Sequence, residues 1–380
     1  MHIIADDLTG AADASVAFAG TAPVRLLLDL PLRRQAAPVG HVAIDVDCRD
    51  VAAETAATRM AAALDRLPDG AELFVKIDSL LRGRIADMLH ELRQWACGRP
   101  LVLAPALPAM GRSTAGGRLQ IAGEVHWQTP SLFEMVDGLK PAWVCDAADD
   151  ADLDAIVATM SQTVENAIWV GTAGLAKAIA RARGDSPGAG LDLALAADAM
   201  RCVAVFGSAS PTSATQARVL AGELDAEHVV VPAAEAVVPS SDSYSRLRMA
   251  RADRHLVVSV EQPDDHPAAL DPAVARSVAG LVAAHAADAG VLVLTGGATA
   301  RSVLGCLNIG ELDVVGELEP GAVLLRAGAR YVDITPISRD QRSLVAEDNL
   351  HPSGDMYRLW ANSVLPEAFD ALTFKPRPGK

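Results

Sequence analysis

Short apolar runs alternate with amphipathic segments along most of the chain, and this alternation constrains the fold more than any other feature of the sequence. The apolar runs are Val24–Leu28, Val42–Asp45, Leu73–Ile77, Leu101–Ala104, Ile168–Val170, Val203–Phe206, Val229–Val231, Leu256–Val260 and Val291–Leu294. The amphipathic segments between them include Ala52–Leu67, Ile85–Trp95, Thr212–Leu224 and Pro272–Ala287. Continuous apolar strands separated by helices are typical of parallel sheets that are covered on both faces. The sequence therefore predicts an α/β fold with largely parallel sheets covered by helices.

The length of the chain and one cluster of turn residues predict two domains. A chain of 380 residues exceeds the usual size of a single domain. The segment GDSPGAG at residues 184–190 precedes a new strand at Arg201–Phe206, and such Gly/Pro clusters mark connections. We expect one domain over residues 1–196, a second over 197–330 and an atypical C-terminal tail over 331–380. The active site is expected in the cleft between the two domains.

The composition argues against several classes of partner. The 33 basic and 48 acidic residues give a net charge of −15, which disfavours nucleic acid and anionic membrane surfaces. The cysteines form no CxxC pair and have no His at ligand spacing, so we expect buried free thiols in a reducing compartment and no metal site. They are Cys48, Cys97, Cys145, Cys202 and Cys306. With no leader pattern and no apolar run of membrane-spanning length, the sequence predicts a cytoplasmic enzyme, and it leaves open whether the protein is a homo-oligomer.

Two adjacent acids follow the first apolar run. The chain begins MHIIADDLTG, so Asp6 and Asp7 lie where a predicted strand meets a predicted helix. Ligands of open α/β sheets bind at the carboxyl ends of the strands, and adjacent acids are costly to hold together unless a cation or a ligand hydroxyl uses them. The alternative is a helix N-cap with a second acid that complements the helix dipole. We favour a catalytic role for both acids.

Two further loops carry basic and acidic residues after predicted strands. The segment VKIDSLLRGR contains Lys76, Asp78, Ser79 and Arg82, a combination that binds carboxylate or phosphate groups through the fork of Arg. The alternative is a surface ion-pair network. The segment APALPAMGRSTAGG, residues 104–117, is predicted to be a rigid loop with Arg112 at its tip. All five residues are candidates for substrate binding.

The second half of the chain contains two similar strand–turn–helix segments. They are VFGSASPTSATQ at residues 205–216 and LTGGATARSVL at residues 294–304. Backbone N–H groups at a helix N-terminus bind anions, although neither segment matches the P-loop or the dinucleotide fingerprint, and ordinary capping remains the alternative. The candidate phosphate contacts are Gly207, Ser208, Ser210, Gly296, Gly297 and Thr299. An acid and Arg cluster in one domain and phosphate-binding turns in the other favour a small-molecule kinase.

Six segments in this order resemble the four-carbon acid sugar kinases. They are IADDLTGAAD, KIDSLLRG, APALPAMGR, VGTAGLAKAI, VFGSASPTSATQ and LTGGATA, and the resemblance covers residues 1 to about 326. It implies ATP-dependent phosphorylation of threonate, erythronate or a related acid, with ATP and Mg²⁺ as cofactors. It also implies an N-terminal domain that binds the sugar acid and a C-terminal domain that binds the nucleotide.

The chain departs from this family in two places. Ala298 follows the paired glycines, where the family usually has an acid. The chain also lacks the family's Lys-Ser-Gly-Asn-Phe-Gly type loop, so we expect weakened ATP binding. The tail instead resembles the closing block of SGNH hydrolases, with Asp348 and His351 at the positions of a triad. We expect a helix-forming tail without catalysis, because the one Gly-Asp-Ser sequence, at residues 184–186, lies in a linker.

Other functions remain as alternatives to the kinase. A degenerate sugar-acid binding protein would keep the substrate loops without turnover. An SGNH-type esterase would act through His351, but its nucleophile segment is missing. A haloacid-dehalogenase phosphatase needs Asp-x-Asp after a strand, whereas Asp6 is followed directly by Asp7 and Leu8.

Overall fold

A computed structural model describes residues 1–20, 22–28, 40–185, 201–207, 211–238, 241–261, 272–319, 322–328 and 330–335. These residues form two compact units. The first contains the described residues from 1 to 185 and from 310 to 316, and the second contains those from 201 to 309 and from 317 to 335.

The first part of the chain supplies ten strands and six α-helices within the described residues. The strands are β1 (His2–Ala5), β2 (Val24–Leu27), β3 (His41–Asp45), β4 (Leu73–Lys76), β5 (Leu101–Ala104), β6 (Arg112–Ala115), β7 (Arg118–Ile121), β8 (Glu124–Val125), β9 (Ala142–Val144) and β10 (Ile168–Gly171). The helices are α1 (Leu8–Ser15), α2 (Ala53–Leu64), α3 (Ile85–Trp95), α4 (Leu132–Met135), α5 (Asp150–Thr163) and α6 (Ala173–Arg183).

The second part of the chain continues the alternation of strands and helices. Its strands are β11 (Cys202–Phe206), β12 (Glu227–Pro232), β13 (Leu256–Glu261), β14 (Val291–Thr295), β15 (Glu311–Glu319), β16 (Ala322–Ala327) and β17 (Arg330–Thr335). Its helices are α7 (Pro211–Glu223), α8 (Ala233–Ala236), α9 (Asp242–Met249), α10 (Pro272–Ala287) and α11 (Gly297–Cys306).

The sheet of the first unit places three loop ends side by side. Its strand order is β15-β2-β3-β1-β4-β10-β5-β9, and all pairs are parallel except β15 with β2. Ala5 of β1 lies opposite Asp45 of β3 and Lys76 of β4. Ile3 and Ile4 are fully buried, as expected for a central strand covered on both faces. The loops after β3, β1 and β4 therefore begin at one edge of the sheet.

The sheet of the second unit brings its two Gly-containing turns together. The order is β12-β13-β11-β14-β17-β16, and its pairs are parallel except for β16 with β17. Phe206, at the end of β11, lies opposite Thr295, at the end of β14. Since parallel neighbours end on the same side of a sheet, the turns that follow them are adjacent.

The predicted fold class is confirmed, and some local predictions are wrong. Both units contain largely parallel sheets with helices, as predicted. Arg112, predicted at the tip of a loop, instead begins β6 of a small antiparallel sheet of β6, β7 and β8. All the cysteines are free, but only Cys48 and Cys202 are buried.

The C-terminal tail begins differently from its prediction. Residues 331–335 belong to β17, which pairs with β14 and β16, rather than to a helix. Asp348 and His351 lie outside the described residues, as does the predicted boundary at residue 196. The domain boundaries therefore stay predictions. None of the helices in the described ranges is long and apolar enough to cross a membrane.

Candidate functional site

Arg49 joins the acids of two loops at the carboxyl edge of the first sheet. Its Nε donates to Asp6 Oδ2 at 2.8 Å and its Nη2 donates to Asp6 Oδ1 at 3.0 Å, so the guanidinium holds Asp6 as a two-point fork. Its Nη1 donates to Asp7 Oδ2 at 2.7 Å, and its Nη2 lies 3.5 Å from Asp78 Oδ1. One cation thus holds three predicted site acids in one cluster.

Arg49 is not among the site residues predicted from the sequence. Its position carries a usable signal, because it follows the predicted strand Val42–Asp45 in the segment DVDCRD. Had β3 been identified as the parallel neighbour of β1, the residues after it would have been expected beside Asp6 and Asp7.

Burial sets the electrostatics of this cluster. The side chain of Asp6 is 1% exposed and that of Arg49 is 17% exposed. Burial raises the pKa of Asp6, and the charge of Arg49 opposes that rise while the charge of Asp7 adds to it. Burial works against the charge of Arg49, but Asp7, Asp6 and Asp78 together hold the pKa of its guanidinium well above the usual value.

Asp7 has a second structural role as the N-cap of α1. Its Oδ1 accepts a hydrogen bond from the backbone N–H of Gly10 at 2.8 Å, and its Oδ2 accepts one from Thr9 Oγ1 at 2.6 Å. The N-cap alternative considered from the sequence is therefore correct for Asp7, but it does not exclude a site. At 16% exposure, the Asp7 side chain is more accessible than that of Asp6.

Gly10 leaves space for the ends of two side chains, those of Asp7 and Lys76. A Cβ atom at Gly10 would lie 2.6 Å from Asp7 Oδ1 and 2.9 Å from Lys76 Nζ. The side chain of Lys76 is therefore close to the first turn of α1, where its buried Nζ donates to the carbonyl oxygen of Ile77 at 2.9 Å. The absence of a side chain at Gly10 lets Asp7 and Lys76 approach the same space.

Arg82 and Asp78 form a second fork in the loop after β4. Arg82 Nε and Nη2 donate to the two oxygens of Asp78 at 2.8 and 2.9 Å, and the backbone N–H groups of Leu80 and Arg82 also donate to Asp78. Burial works against ionisation of Asp78, but the Arg82 hydrogen bonds and the charge of Arg49 hold its pKa below the usual range. The Arg82 side chain remains 54% exposed.

Arg112 reaches the same loop from β6. It is buried, and its Nη1 donates to Ser79 Oγ. The first unit thus brings together all the predicted substrate-side residues, and Arg112 is joined to the loop after β4 through Ser79.

The two turns of the second unit touch each other through Gly207 and Thr299. A Cβ at Gly207 would lie 1.7 Å from Thr299 Oγ1, so only glycine fits there. Gly296 has a φ of 86°, a left-handed conformation that favours glycine, and it leads into α11. Ser208 and Ser210 lie outside the described residues. The first-turn N–H groups of α11, including those of Gly297 and Thr299, lack partners within the helix and suit a phosphate.

The described ranges contain no group of three or more His, Cys, Asp or Glu side chains that could hold a metal ion. The acids nearest to such an arrangement, Asp6, Asp7 and Asp78, are instead occupied by the guanidinium groups of Arg49 and Arg82.

Comparison with known proteins assigns each unit a counterpart. Residues 1–140 match the family profile described as a sugar-binding N-terminal domain. Residues 203–339 match the profile described as a nucleotide-binding C-terminal domain, and this second match includes β17. A D-threonate kinase of Cupriavidus necator is 32% identical over 372 residues, which cover 85% of this chain and 89% of the relative.

Two further similarities agree with these matches. A D-threonate kinase of Bordetella bronchiseptica is 28% identical over 377 residues, which cover 85% of this chain and 88% of the relative. A crystal structure of a Haemophilus influenzae protein has a TM-score of 0.67 at 18% identity and covers 95% of this chain and 99% of its own. The last similarity establishes a shared fold.

Proposed function

Because the chain belongs to the four-carbon acid sugar kinase family, whose members are ATP-dependent, we propose that it transfers the γ-phosphoryl group of ATP to a hydroxyl of threonate, erythronate or a closely related acid. The observation that supports this most strongly is the cluster at the carboxyl edge of the first sheet. It combines an accessible acid, Asp7, with the cations Lys76, Arg82 and Arg112. A polyol that carries one carboxylate needs both kinds of group.

The roles of the acids differ in this proposal. Asp7 orients the attacking hydroxyl and accepts its proton, because its side chain is the more accessible of the pair. Asp6 is enclosed by the Arg49 fork and contributes charge rather than substrate contact. The rest of the substrate side consists of Lys76, Asp78, Ser79, Arg82 and Arg112. Of these, Arg82 and Arg112 are the residues proposed to bind the substrate carboxylate, because a guanidinium can bond both of its oxygens.

The nucleotide is assigned to the second unit. The turns around Gly207 and Gly296–Thr299 offer backbone N–H groups to its phosphates, and Mg²⁺ would enter with ATP and offset the phosphate charge. Gly297→Val is expected to abolish thermal stabilisation by ATP, since only glycine lets a phosphate approach the backbone so closely. If ATP protects this variant as well as the wild type, the phosphates bind elsewhere.

A substrate panel tests the function. We expect ADP release with threonate or erythronate and none with threitol, in which a fourth hydroxyl group replaces the carboxylate. Asp7→Asn is expected to lower turnover by about 10²-fold or more while the protein remains folded. Stabilisation by a sugar acid without ADP release would instead indicate a binding protein without turnover. Hydrolysis of short-chain esters that is lost in His351→Ala would favour the esterase.

A further inference from the structure

We propose that Arg49 is a positioning residue, which holds Asp6, Asp7 and Asp78 in one arrangement so that Asp7 faces the substrate hydroxyl. This inference rests on the proposed kinase function. Its geometric basis is the set of contacts that one guanidinium makes with acids from two different loops. Two of the guanidinium nitrogens hold Asp6 while the third holds Asp7, so the relative orientation of the adjacent acids is fixed by a rigid plane.

Arg49 is itself held tightly in place. The backbone N–H of Cys48 donates to the carbonyl oxygen of Asp6 at 2.9 Å, which joins the two loops just before Arg49. Arg59 Nη1 donates to Asp47 Oδ2 at 2.8 Å and also to the Asp47 carbonyl oxygen, and Asp47 has a φ of 46°. The turn that presents Arg49 is therefore fixed by contacts outside the acid cluster.

The loop of Arg82 is shaped around the backbone of Arg49. Gly83 has a φ of 86°, and a Cβ there would lie 2.9 Å from Arg49 Cγ and 3.1 Å from its carbonyl oxygen. The glycine of the KIDSLLRG segment is thus required by its contact with Arg49 as well as by its own backbone conformation. The segments DVDCRD and KIDSLLRG therefore contact each other at Arg49.

Charge explains why Arg49 is needed. The groups that act on Asp6 are Arg49, Asp7 and Lys76, and its charge in turn acts on the thiol of Cys48. Arg49 also contacts Asp78, which is paired with Arg82. Without Arg49, Asp6 would remain buried beside Asp7 with Lys76 as its nearest cation, and two acids in that setting share a proton. The contact that aligns Asp7 with Asp6 would be lost at the same time.

Two substitutions separate charge from orientation. Arg49→Gln removes the charge and is expected to lower kcat by about 10²-fold, with a smaller change in KM, and to move the acid limb of the kcat profile to higher pH. Arg49→Lys keeps the charge but cannot form the fork, so we expect a lower kcat with the acid limb near its wild-type position. The control is Arg84→Gln, because exposed Arg84 lies in the next loop and donates to the Val51 carbonyl oxygen instead of to an acid.

A measurement without substrate tests the inference independently of the kinase function. In Arg49→Gln, Asp6 binds a proton more tightly in the folded state than in the unfolded state, so stability falls as pH rises through the raised pKa. The loss of Tm relative to wild type is therefore expected to grow from pH 5 to pH 8. The double variant Asp6→Asn/Arg49→Gln removes the buried carboxylate as well. It is therefore expected to show a smaller increase in Tm loss between pH 5 and pH 8.

The outcomes distinguish the two proposals. A wild-type protein that phosphorylates no four-carbon acid would overturn the proposed function, while the Tm measurement would still test Arg49. A loss of Tm that is the same at every pH would mean that Arg49 only packs. A rise in KM alone in an active enzyme would mean that Arg49 contacts the substrate, and it too would overturn the positioning role.

Discussion

Gly10 offers the sharpest separation of function from stability in this protein. Alanine is a better helix former than glycine by about 1 kcal/mol, so helix propensity alone predicts that Gly10→Ala stabilises α1. The structure predicts a different result, because the new Cβ would lie 2.6 Å from Asp7 Oδ1 and 2.9 Å from Lys76 Nζ, where ordinary contact begins at 3.4 Å.

The way in which this close contact is relieved determines how much turnover and stability change. Both clashing atoms are side-chain ends, so the clash is relieved when they move by about 1 Å out of the hydrogen bonds that hold them. A displacement of that size is enough to lower turnover by about 10²-fold. The withdrawal of Asp7 also weakens the N-cap hydrogen bond to Gly10, a loss of about 1 kcal/mol. That loss offsets the gain in helix propensity, and we expect a free energy of unfolding within about 1 kcal/mol of wild type.

The assay pairs turnover with thermal unfolding. Gly280→Ala is the matched control, since Gly280 lies inside α10 and a Cβ added there would meet no neighbouring atom within 4 Å. This control is expected to keep full activity and to raise Tm by about 2–4 °C, the shift that about 1 kcal/mol produces in a domain of this size. A Gly10→Ala enzyme with wild-type turnover would refute the argument, because it would show that the positions of Asp7 and Lys76 do not matter for the reaction.

Two further predictions concern the other unit and the acid range. Gly207→Ala is expected to destabilise the protein by about 1–3 kcal/mol and to reduce stabilisation by ATP, because the new Cβ would meet Thr299, a stiff β-branched neighbour. The control is Gly222→Ala in α7, where an added Cβ meets no atom within 4 Å. Equal Tm values for the two variants would contradict the prediction. The lowered pKa of Asp78 means that its contribution to stability is present above about pH 4 and is lost as pH falls. Asp78→Asn is therefore expected to lower Tm at pH 7 more than at pH 3, whereas exposed Glu165→Gln leaves both values unchanged.

The strands of the parallel sheets, and the residues at which their loops begin, could largely be predicted from the sequence. Buried parallel strands are apolar along their whole length, so β1, β4 and β11 are visible as uninterrupted runs. Polar residues that follow such runs must lie at a carboxyl edge, and for this reason Asp6, Lys76 and Gly207 were placed correctly relative to their strands. Local sequence is sufficient for this step.

The order of the strands could not be predicted in the same way, and the omission of Arg49 follows from that. Nothing in Val42–Asp45 states that this strand pairs with β1, because pairing is decided by the tertiary packing of the helices between them. The predicted position of Arg112 at the tip of a loop was wrong for a related reason. The Pro- and Gly-rich segment before it indicates a turn, but the antiparallel partner of β6 begins only at Arg118, so the strand is apparent only when both are considered together.

The adjacent acids Asp6 and Asp7 show most clearly what the sequence alone does not predict. Asp6 and Asp7 share the guanidinium of Arg49, but their other contacts differ although the sequence presents them as a pair. Asp6 turns into the sheet edge and is enclosed by the Arg49 fork, while Asp7 caps α1 and keeps part of its surface accessible. A motif of two acids therefore does not imply two equivalent catalytic groups. In the proposed mechanism the buried Asp6 needs the charge of Arg49, and the same guanidinium orients Asp7, the acid proposed to contact the substrate.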